Sequence, residues 1–209
     1  MEQRPYQRDG SAFLAGCERG ILADEPGLGK TNQAICASSG RTLVVAPAAL
    51  VHNWRAEVEM WRRPGQEFEV TSYSRLARRE GSRTFPTPRP EYQGFETVIY
   101  DECHNLKGRT ANWTRAAMKV KSERAYLLSG TPMSGWAHEL WPLLRIVHSG
   151  DRRYSSFWRW VAGWFETWRP PWGGPDVRGL RPGVSWVDFA VGCGLESRWL
   201  RREMDLVLD

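Results

Sequence analysis

The segment Asp24-Glu-Pro-Gly-Leu-Gly-Lys-Thr31 constrains the fold of this chain more than any other part of the sequence. It follows a short apolar run at residues 20–23 and precedes the helical pattern of residues 31–37. Gly27 and Gly29 would let the turn adopt positive φ and bring its backbone close to a ligand. Backbone N–H groups in such a turn, at a helix N-terminus, form a cradle for an anion. The segment therefore predicts a phosphate-binding loop, with an ordinary strand-turn-helix corner as the alternative.

The phosphate-loop pattern assigns a task to individual side chains. Lys30 would reach the outer phosphates of a nucleotide, and the Thr31 hydroxyl would coordinate magnesium. One position departs from the general pattern, because Asp24 stands where a glycine is usual. The remaining candidate nucleotide-binding residues of the turn are Glu25, Pro26, Gly27, Leu28 and Gly29.

A second apolar run, at residues 97–100, ends in the sequence Asp101-Glu-Cys-His104. Open α/β sheets bind their ligands at the carboxyl ends of strands. Asp101 is the candidate magnesium ligand, Glu102 would polarise the attacking water, and His104 would lie near the γ-phosphate. Phosphoryl transfer needs charge neutralisation and positioning more than covalent chemistry. Together with Lys30, these side chains predict an ATP- and Mg²⁺-dependent catalytic site, and a solvated acidic strand end is the alternative.

The spacing of apolar runs predicts an α/β domain. Strands are expected at residues 20–23, 42–46, 67–71, 96–100 and 125–129, with helical patterns between most of them. This alternation is typical of a parallel sheet covered on both faces. Right-handed crossovers would then place both motifs at one edge of the sheet. A first helix is expected from Pro5 to about Gly16, and the proline-rich residues 81–94 predict an irregular loop.

The composition changes after Gly150, which divides the chain into a lobe at residues 1–150 and an aromatic-rich extension at 151–209. Four apolar residues of the extension recur at helical spacing: Phe157, Val161, Trp164 and Trp168. They predict a helix face packed on the lobe. A stacking surface for bases and a docking face for a second lobe are alternatives. The glycines and prolines of residues 170–183 predict a loop before a final helix.

Six segments resemble, in order, the motifs of the first motor lobe of superfamily II helicases, and specifically of Swi/Snf-like DNA translocases. In that family Asp is usual at the position of Asp24. The segments are residues 4–7, 24–31, 42–54, 71–73, 101–104 and 127–132. The resemblance implies a three-layer RecA-like fold with a central, mostly parallel sheet. It also implies ATP hydrolysis coupled to movement along duplex DNA without sequence specificity.

The resemblance implies further roles for matching residues. Gln7 would read adenine with both amide atoms, assisted by Arg4, although an exposed helix glutamine is the alternative. Contacts to nucleic-acid phosphates would come from Pro47, Thr71, Ser72 and Tyr73, with plain loop capping as the alternative. Coupling between the nucleotide and the nucleic acid would pass through Ser129, Gly130 and Thr131. Trp54 and Trp61 are expected to belong to the core.

Motors of this family have two lobes and cleave ATP between them. The second lobe supplies arginine fingers, which contribute roughly 10³ to 10⁵ in rate in related systems. No segment here resembles them, and residues 199–208 resemble the stretch just before a second lobe. We therefore expect a second lobe in the same or another chain and weak hydrolysis by this chain alone. A DExH-type RNA helicase lobe and a nucleotide-gated, non-catalytic module are the competing functions.

Charge and cysteine usage agree with an intracellular nucleic-acid partner. The net charge is +5, which favours a polyanion. The four cysteines show no paired spacing, which is typical of reduced thiols. No stretch of about 18 apolar residues predicts a membrane span. These features suggest a cytoplasmic protein, and a bacterial or phage origin is the expectation from the short lobe.

Overall fold

A parallel six-stranded sheet forms the centre of the computed structural model, which describes residues 2–133 and 135–207. The strands are β1 (Arg19–Leu22), β2 (Arg41–Ala46), β3 (Glu67–Ser72), β4 (Ala77–Glu80), β5 (Arg83–Pro88), β6 (Thr97–Asp101), β7 (Arg124–Leu128), β8 (Phe165–Trp168), β9 (Asp176–Leu180) and β10 (Trp199–Leu200). The α-helices are α1 (Pro5–Cys17), α2 (Lys30–Ala37), α3 (Val51–Trp61), α4 (Tyr73–Leu76), α5 (Asn112–Ala117), α6 (Trp141–Val147), α7 (Phe157–Trp164) and α8 (Trp186–Gly192).

The order of strands in the sheet is β10-β1-β7-β6-β2-β3, and every neighbouring pair is parallel. All six carboxyl ends therefore lie at one edge. Strand β7 lies between β1 and β6, with Leu22 and Asp101 both in register with Leu128. The segments that follow β1, β6 and β7 thus begin side by side, as expected for a ligand site in a parallel sheet.

Alternate residues of each strand face two separate cores, which makes the domain three layers thick. On one face, Leu22, Val44 and Ile99 pack with α1, α2 and α3. On the other face, Ile21 and Val98 belong to a cluster that includes residues of α4 to α8. Continuous apolar runs are what a sheet buried on both faces requires.

The predicted α/β class and the predicted parallel sheet are confirmed. The five expected strands correspond to β1, β2, β3, β6 and β7, and each end differs from its prediction by at most one residue. Helices α1 and α2 also begin and end within one residue of their predicted bounds. Apolar runs and the residues at helix ends are local signals. Tertiary packing therefore shifts the predicted bounds of these elements very little.

The prediction of an irregular loop at residues 81–94 is wrong in part. Strand β5 lies within it and pairs with β4 in an antiparallel hairpin. Gly81 has φ of 56° in the turn. Pro86 and Pro88 lie in β5 because both strands of an isolated pair are edges, where a missing N–H is tolerated.

The aromatic segment also departs from its helical pattern. Helix α7 ends at Trp164, and Trp168 lies in β8, which pairs with β9 of the predicted loop. Phe157 and Val161 are buried and Trp164 is partly buried, so the helix face packed on the lobe is confirmed for these residues. Trp168 is 40% exposed, and its place on the face is wrong. Helical spacing cannot show where a helix stops when no cap residue marks its end.

Strand β10 was not expected from the sequence. Only residues 199 and 200 have ladder partners in β1, and two residues are too few to show a strand pattern. The extension contributes both β10 to the sheet and Phe157 to the core cluster that contains Ile21. The division near residue 150 stays a prediction. Leu208, the last residue of the segment compared with the stretch before a second lobe, lies outside the described residues.

Within residues 2–133 and 135–207, no helix is both long enough and apolar enough to cross a membrane. The cellular location and the origin of the chain stay predictions.

The packing of α8 on α7 can be tested with two helical glycines. A Cβ at Gly192 would lie 2.1 Å from Cη2 of Trp164, whereas a Cβ at Gly163 would meet nothing within 4 Å. We expect Gly192→Ala to lower the free energy of unfolding by about 1–3 kcal/mol through overpacking. We expect Gly163→Ala to raise it by roughly 0.5 kcal/mol through helix propensity. Urea unfolding followed by circular dichroism measures both, and equal effects would contradict this packing.

Candidate nucleotide-binding site

The predicted catalytic residues meet at the carboxyl edge of the sheet. The phosphate loop at residues 24–29 follows β1, Asp101 ends β6 with Glu102 directly after it, and the turn 129–131 follows β7. Because β7 lies between the other two strands, its turn adjoins both motifs. A Cβ at Gly130 would lie 3.0 Å from Cδ of Pro26, so the turn and the loop touch.

Two glycines give the phosphate loop its shape. Gly27 has φ of 91° and Gly29 has φ of 72°, both in the left-handed region where other residues are strained. A Cβ at Gly29 would also lie 2.4 Å from Nε2 of Gln7. Gly29 is the N-cap of α2, so the amides of the first helical turn face the loop. The backbone therefore has the form of an anion cradle.

Lys30 opens helix α2 with its side chain turned back over the loop. Its ammonium donates to the carbonyl oxygens of Asp24 at 2.7 Å and Glu25 at 3.1 Å. Burial lowers the pKa of Lys30, and the neighbouring charges of Glu102, Asp24 and Asp101 oppose that shift. The ammonium thus lies in a partly desolvated place with neutral carbonyl oxygens as its hydrogen-bond acceptors, and a phosphate oxygen would offer it a charged acceptor in their place.

Asp24, the departure from the glycine pattern, is completely buried. Its carboxylate accepts hydrogen bonds from Arg202, with Nε at 3.1 Å from Oδ1 and Nη2 at 2.5 Å from Oδ2. Nε2 of Gln33 donates to the same carboxylate at 3.3 Å. Arg202 therefore compensates a buried charge that would otherwise be costly. Asp24 therefore lies beneath the loop, where its carboxylate bonds to protein side chains.

Asp101 is held by a residue expected only to fill the core. Nε1 of the buried Trp54 donates to Oδ2 of Asp101 at 2.7 Å. The Tyr73 hydroxyl donates to the backbone carbonyl of Asp101 at 2.7 Å. Burial raises the pKa of Asp101, the bond from Trp54 lowers it, and the charge of Glu102 raises it again. The bond from Trp54 thus fixes the orientation of the carboxylate from one side.

Glu102 and His104 form a small network with the turn after β7. The Ser129 hydroxyl donates to Oε2 of Glu102 at 3.2 Å and accepts from the amide of Thr131 at 3.1 Å. Nδ1 of His104 lies 3.0 Å from the same hydroxyl oxygen. A serine has one proton to donate, so Nδ1 of His104 must be the donor in its contact with Ser129. This connects the predicted catalytic pair to the predicted coupling turn.

Glu102 itself has φ of 47° and ψ of 55°, a left-handed conformation that is rare outside glycine and asparagine. Such backbone strain persists where surrounding contacts impose it, and it is common at functional sites. Here the strand ends in Asp101 and turns abruptly, so successive carboxylates point to different parts of the site. Asp101 is buried, whereas the Glu102 side chain is 37% exposed.

Gln7 lies beneath the phosphate loop rather than on an exposed helix face. Its Oε1 accepts from the amide of Arg4 at 3.0 Å, and its Nε2 donates to the carbonyl of Leu28 at 3.4 Å. It therefore caps α1 and contacts the loop. Both amide atoms would have to change partners to pair with an adenine, and that role stays a prediction, as does the role of Arg4.

Most predicted nucleic-acid contacts are buried. Thr71 donates to the Tyr92 hydroxyl at 2.7 Å, and Ser72 lies 3.0 Å from the hydroxyl of Ser74. The Tyr73 hydroxyl already donates to the carbonyl of Asp101. All three of these residues, Thr71, Ser72 and Tyr73, are less than 9% exposed. Side-chain contact with nucleic acid would require these bonds to break. Pro47 is half-buried at the end of β2. The predicted contacts stay predictions.

The donor set fits a magnesium ion that is bound together with a nucleotide. Among the described residues, no three His, Cys, Asp or Glu side chains form a metal cluster. Magnesium is usually held by one or two carboxylates together with substrate phosphates. Thr31, after β1, and Asp101, at the end of β6, supply a hydroxyl and a carboxylate of that kind at the same edge of the sheet.

Three residues of the site were missed by sequence reasoning, namely Trp54, Gln33 and Arg202. Each supports a charged residue from another part of the chain. For Trp54, a signal existed, because a buried indole N–H needs an acceptor. For Arg202, the only signal was that Asp24 follows an apolar strand directly, because a carboxylate buried there needs a cationic partner.

The sequence is similar to a known family. A family model described as "SNF2-related domain" matches residues 6–83 and 62–169. Among curated relatives, DNA repair and recombination protein RAD54B of Gallus gallus is 29% identical, over 90% of this chain and 24% of its own length. Helicase SWR1 of Debaryomyces hansenii is 34% identical, over 79% of this chain and 12% of its own length. The chain therefore spans less than a quarter of these relatives.

A solved structure has the same fold. The structure described as "Sulfolobus solfataricus SWI2/SNF2 ATPase core in complex with dsDNA" has a TM-score of 0.71 and 20% identity. The alignment covers 97% of this chain and 45% of that one. The RecA-like fold predicted from the resemblance is confirmed.

The raised pKa of Asp101 predicts a dependence of stability on pH. Between its ordinary value of 3.8 and its raised folded value, the folded chain keeps a proton that the unfolded chain has lost. Rising pH through that range therefore costs folding free energy. Asp101→Asn removes this cost. We expect the variant's advantage in free energy of unfolding to grow from about pH 4 and then level off, as measured by urea unfolding.

Asp151→Asn is the matched control with the opposite sign. The hydrogen bond from Arg153 lowers the pKa of Asp151, so its contribution is present above pH 3.8 and is lost at lower pH. We expect this variant to be less stable than the wild type at neutral pH, with the difference shrinking on acidification. An Asp101→Asn difference that fell with rising pH would contradict the burial of an ionised Asp101.

Proposed function

The chain belongs to the SNF2-related family, and from this premise we propose that it is the ATP-binding lobe of a DNA-dependent ATPase. Hydrolysis would drive movement along duplex DNA without sequence specificity. The observation that carries the proposal is the meeting of Lys30, Asp101, Glu102 and Ser129 at the carboxyl ends of three adjoining strands. The family match does not favour the RNA-helicase alternative.

Binding would begin at the phosphate loop. The amides of the loop and of the first turn of α2 would hold the β- and γ-phosphates. Lys30 would exchange its two carbonyl partners for phosphate oxygens, which relieves part of its desolvation. Thr31 and Asp101 would hold Mg²⁺, which would neutralise charge on the phosphates. Trp54 keeps the Asp101 carboxylate in one orientation for this task.

Hydrolysis would depend on Glu102. Its partly exposed carboxylate can accept a hydrogen bond from a water and orient it for attack in line with the leaving group. Ser129, which follows the neighbouring strand β7, holds the carboxylate in place, and Nδ1 of His104, two residues after Glu102, lies 3.2 Å from Oε2 of the same carboxylate. Thr131 joins the same hydroxyl through its amide, so a change at Glu102 reaches the turn 129–131.

A further lobe would complete the site, in this chain or another. The chain spans 45% of the solved core that it matches and about 12–24% of the two relatives described above. The arginine fingers expected from the resemblance would lie in that lobe. We therefore expect slow turnover by this chain alone. The Sulfolobus solfataricus core is described in complex with double-stranded DNA, which supports duplex DNA as the partner of this chain.

Two substitutions separate binding from turnover. Lys30→Ala removes the phosphate contact, and we expect binding of a fluorescent ATP analogue with Mg²⁺ to weaken at least about 100-fold, or ~2.7 kcal/mol. Glu102→Gln keeps the shape but removes the base. We expect it to bind the analogue like the wild type and to lose at least about 100-fold in turnover, within the range for general bases.

Lys121→Ala, an exposed lysine on the loop before β7, is the charge-matched control and should change neither quantity. Unchanged binding in Lys30→Ala would contradict the assignment of the phosphate loop. Binding that needs Lys30, with no turnover in any condition, would instead favour the non-catalytic, nucleotide-gated alternative.

Ser129→Ala tests the coupling role. The variant loses the link from Glu102 and His104 to Thr131 but keeps the phosphate loop. We expect ATP-analogue affinity within about twofold of the wild type and a fall of the duplex-DNA stimulation ratio towards one. Steady-state hydrolysis with and without duplex DNA measures the ratio. The exposed Ser197→Ala is the control, and an unchanged ratio in Ser129→Ala would contradict coupling through this turn.

A further inference from the structure

The stretch at residues 198–205, called the strap below, lies along the phosphate loop. Its pairing with β1 continues past the end of that strand and into the loop. The bonds run from the amides of Ile21, Ala23 and Glu25 to the carbonyls of Arg198, Leu200 and Arg202, at 2.6, 2.7 and 3.1 Å. Donors and acceptors at every second residue form a regular parallel ladder. The first part of the loop is thus an edge of the sheet that the strap covers.

The strap also neutralises the charge beneath the loop. The Arg202 side chain is 15% exposed and Asp24 is fully buried, so their ion pair is largely desolvated. Nη2 of Arg202 also donates to Oε1 of Gln33 at 2.8 Å. Gln33 in turn donates to the carbonyl of Leu28 at 3.0 Å. One guanidinium therefore connects the beginning of the loop, at Asp24, with its end, at Leu28.

Two neighbouring residues extend these contacts. The amide of Met204 donates to Oε2 of Glu25 at 3.0 Å, and its Cε would lie 3.0 Å from a Cβ at Gly27. Nη1 of Arg201 donates to the carbonyl of Gly130 at 2.9 Å. The strap therefore contacts the loop from Asp24 to Gly27 and also contacts the predicted coupling turn.

We propose that Arg202 is a positioning residue of the nucleotide site and that the strap holds the phosphate loop in its nucleotide-binding shape. The inference rests on the proposed function, because it concerns the same loop. Removal of Arg202 leaves the Asp24 carboxylate buried without its cation, so the start of the loop must move towards water. By linkage, a nucleotide that needs this loop shape must also stabilise the strap against opening.

Nucleotide affinity of four variants tests the positioning role. Binding of a fluorescent ATP analogue with Mg²⁺ is measured for Arg202→Gln, Arg202→Lys, Asp24→Asn and the double variant Asp24→Asn/Arg202→Gln. We expect Arg202→Gln to weaken binding by about tenfold, within the usual range of coupling between sites. Arg202→Lys keeps the charge but not the two-pronged contact, and it should lie between the wild type and Arg202→Gln.

The double variant separates positioning from a general loss of stability. It replaces the ion pair with two neutral groups that can bond to each other, so no buried charge is left unpaired. We expect its affinity loss to be smaller than the product of the two single losses. The exposed Arg62→Gln, which breaks an ion pair with Glu59 on α3, should bind like the wild type.

Hydrogen exchange of the wild type provides a readout that needs no variant. Saturation with the ATP analogue and Mg²⁺ should slow exchange of the Met204 and Glu25 amides by at least about fivefold, since both bridge the strap and the loop. If the analogue binds but leaves Met204 unchanged, or if a folded Arg202→Gln binds as well as the wild type, the strap does not position the loop. If the wild type binds no analogue, the proposed function fails first.

Discussion

The parallel alignment of β1, β7 and β6 is the constraint on which the rest of the structure depends. A parallel ladder fixes the direction of every strand, so the three segments that follow these strands must emerge at the same edge. With β7 in the middle, its turn adjoins both the phosphate loop and the acidic pair. Hydrophobic burial on both faces holds the strands in this register, because a slip by one residue would exchange the two cores.

The same edge concentrates charges that a folded protein ordinarily keeps in water. Burial lowers the pKa of Lys30 and raises that of Asp101, so both groups carry a desolvation cost. Asp24 carries a further buried charge and is compensated by Arg202. The left-handed backbone of Glu102 adds local strain. A site of this kind gains from an incoming phosphate and cation, because they supply the partners that water no longer provides.

Support for these charges comes from distant parts of the sequence. Trp54, on the helix after β2, orients Asp101, and Arg202, near the end of the described chain, holds Asp24. Their periodicity and spacing resemble those of ordinary core and surface residues, so no local pattern distinguishes them. The hairpins β4–β5 and β8–β9 were missed for a related reason. Two-stranded hairpins outside the main sheet tolerate prolines and exposed tryptophans. Their sequences therefore lack the continuous apolar run of a buried strand.

The sequence alone determined the α/β class, the five main strands, the first two helices and the place of both nucleotide motifs at strand ends. Those features depend on local hydrophobic runs, glycines and caps, which act within a few residues. Tertiary structure decided which side chains complete the site. Thr71 and Tyr73 became interior hydrogen-bonding groups, and Arg202 became the partner of Asp24. Such pairings depend on the order of strands in the sheet, which brings together residues that are far apart along the chain.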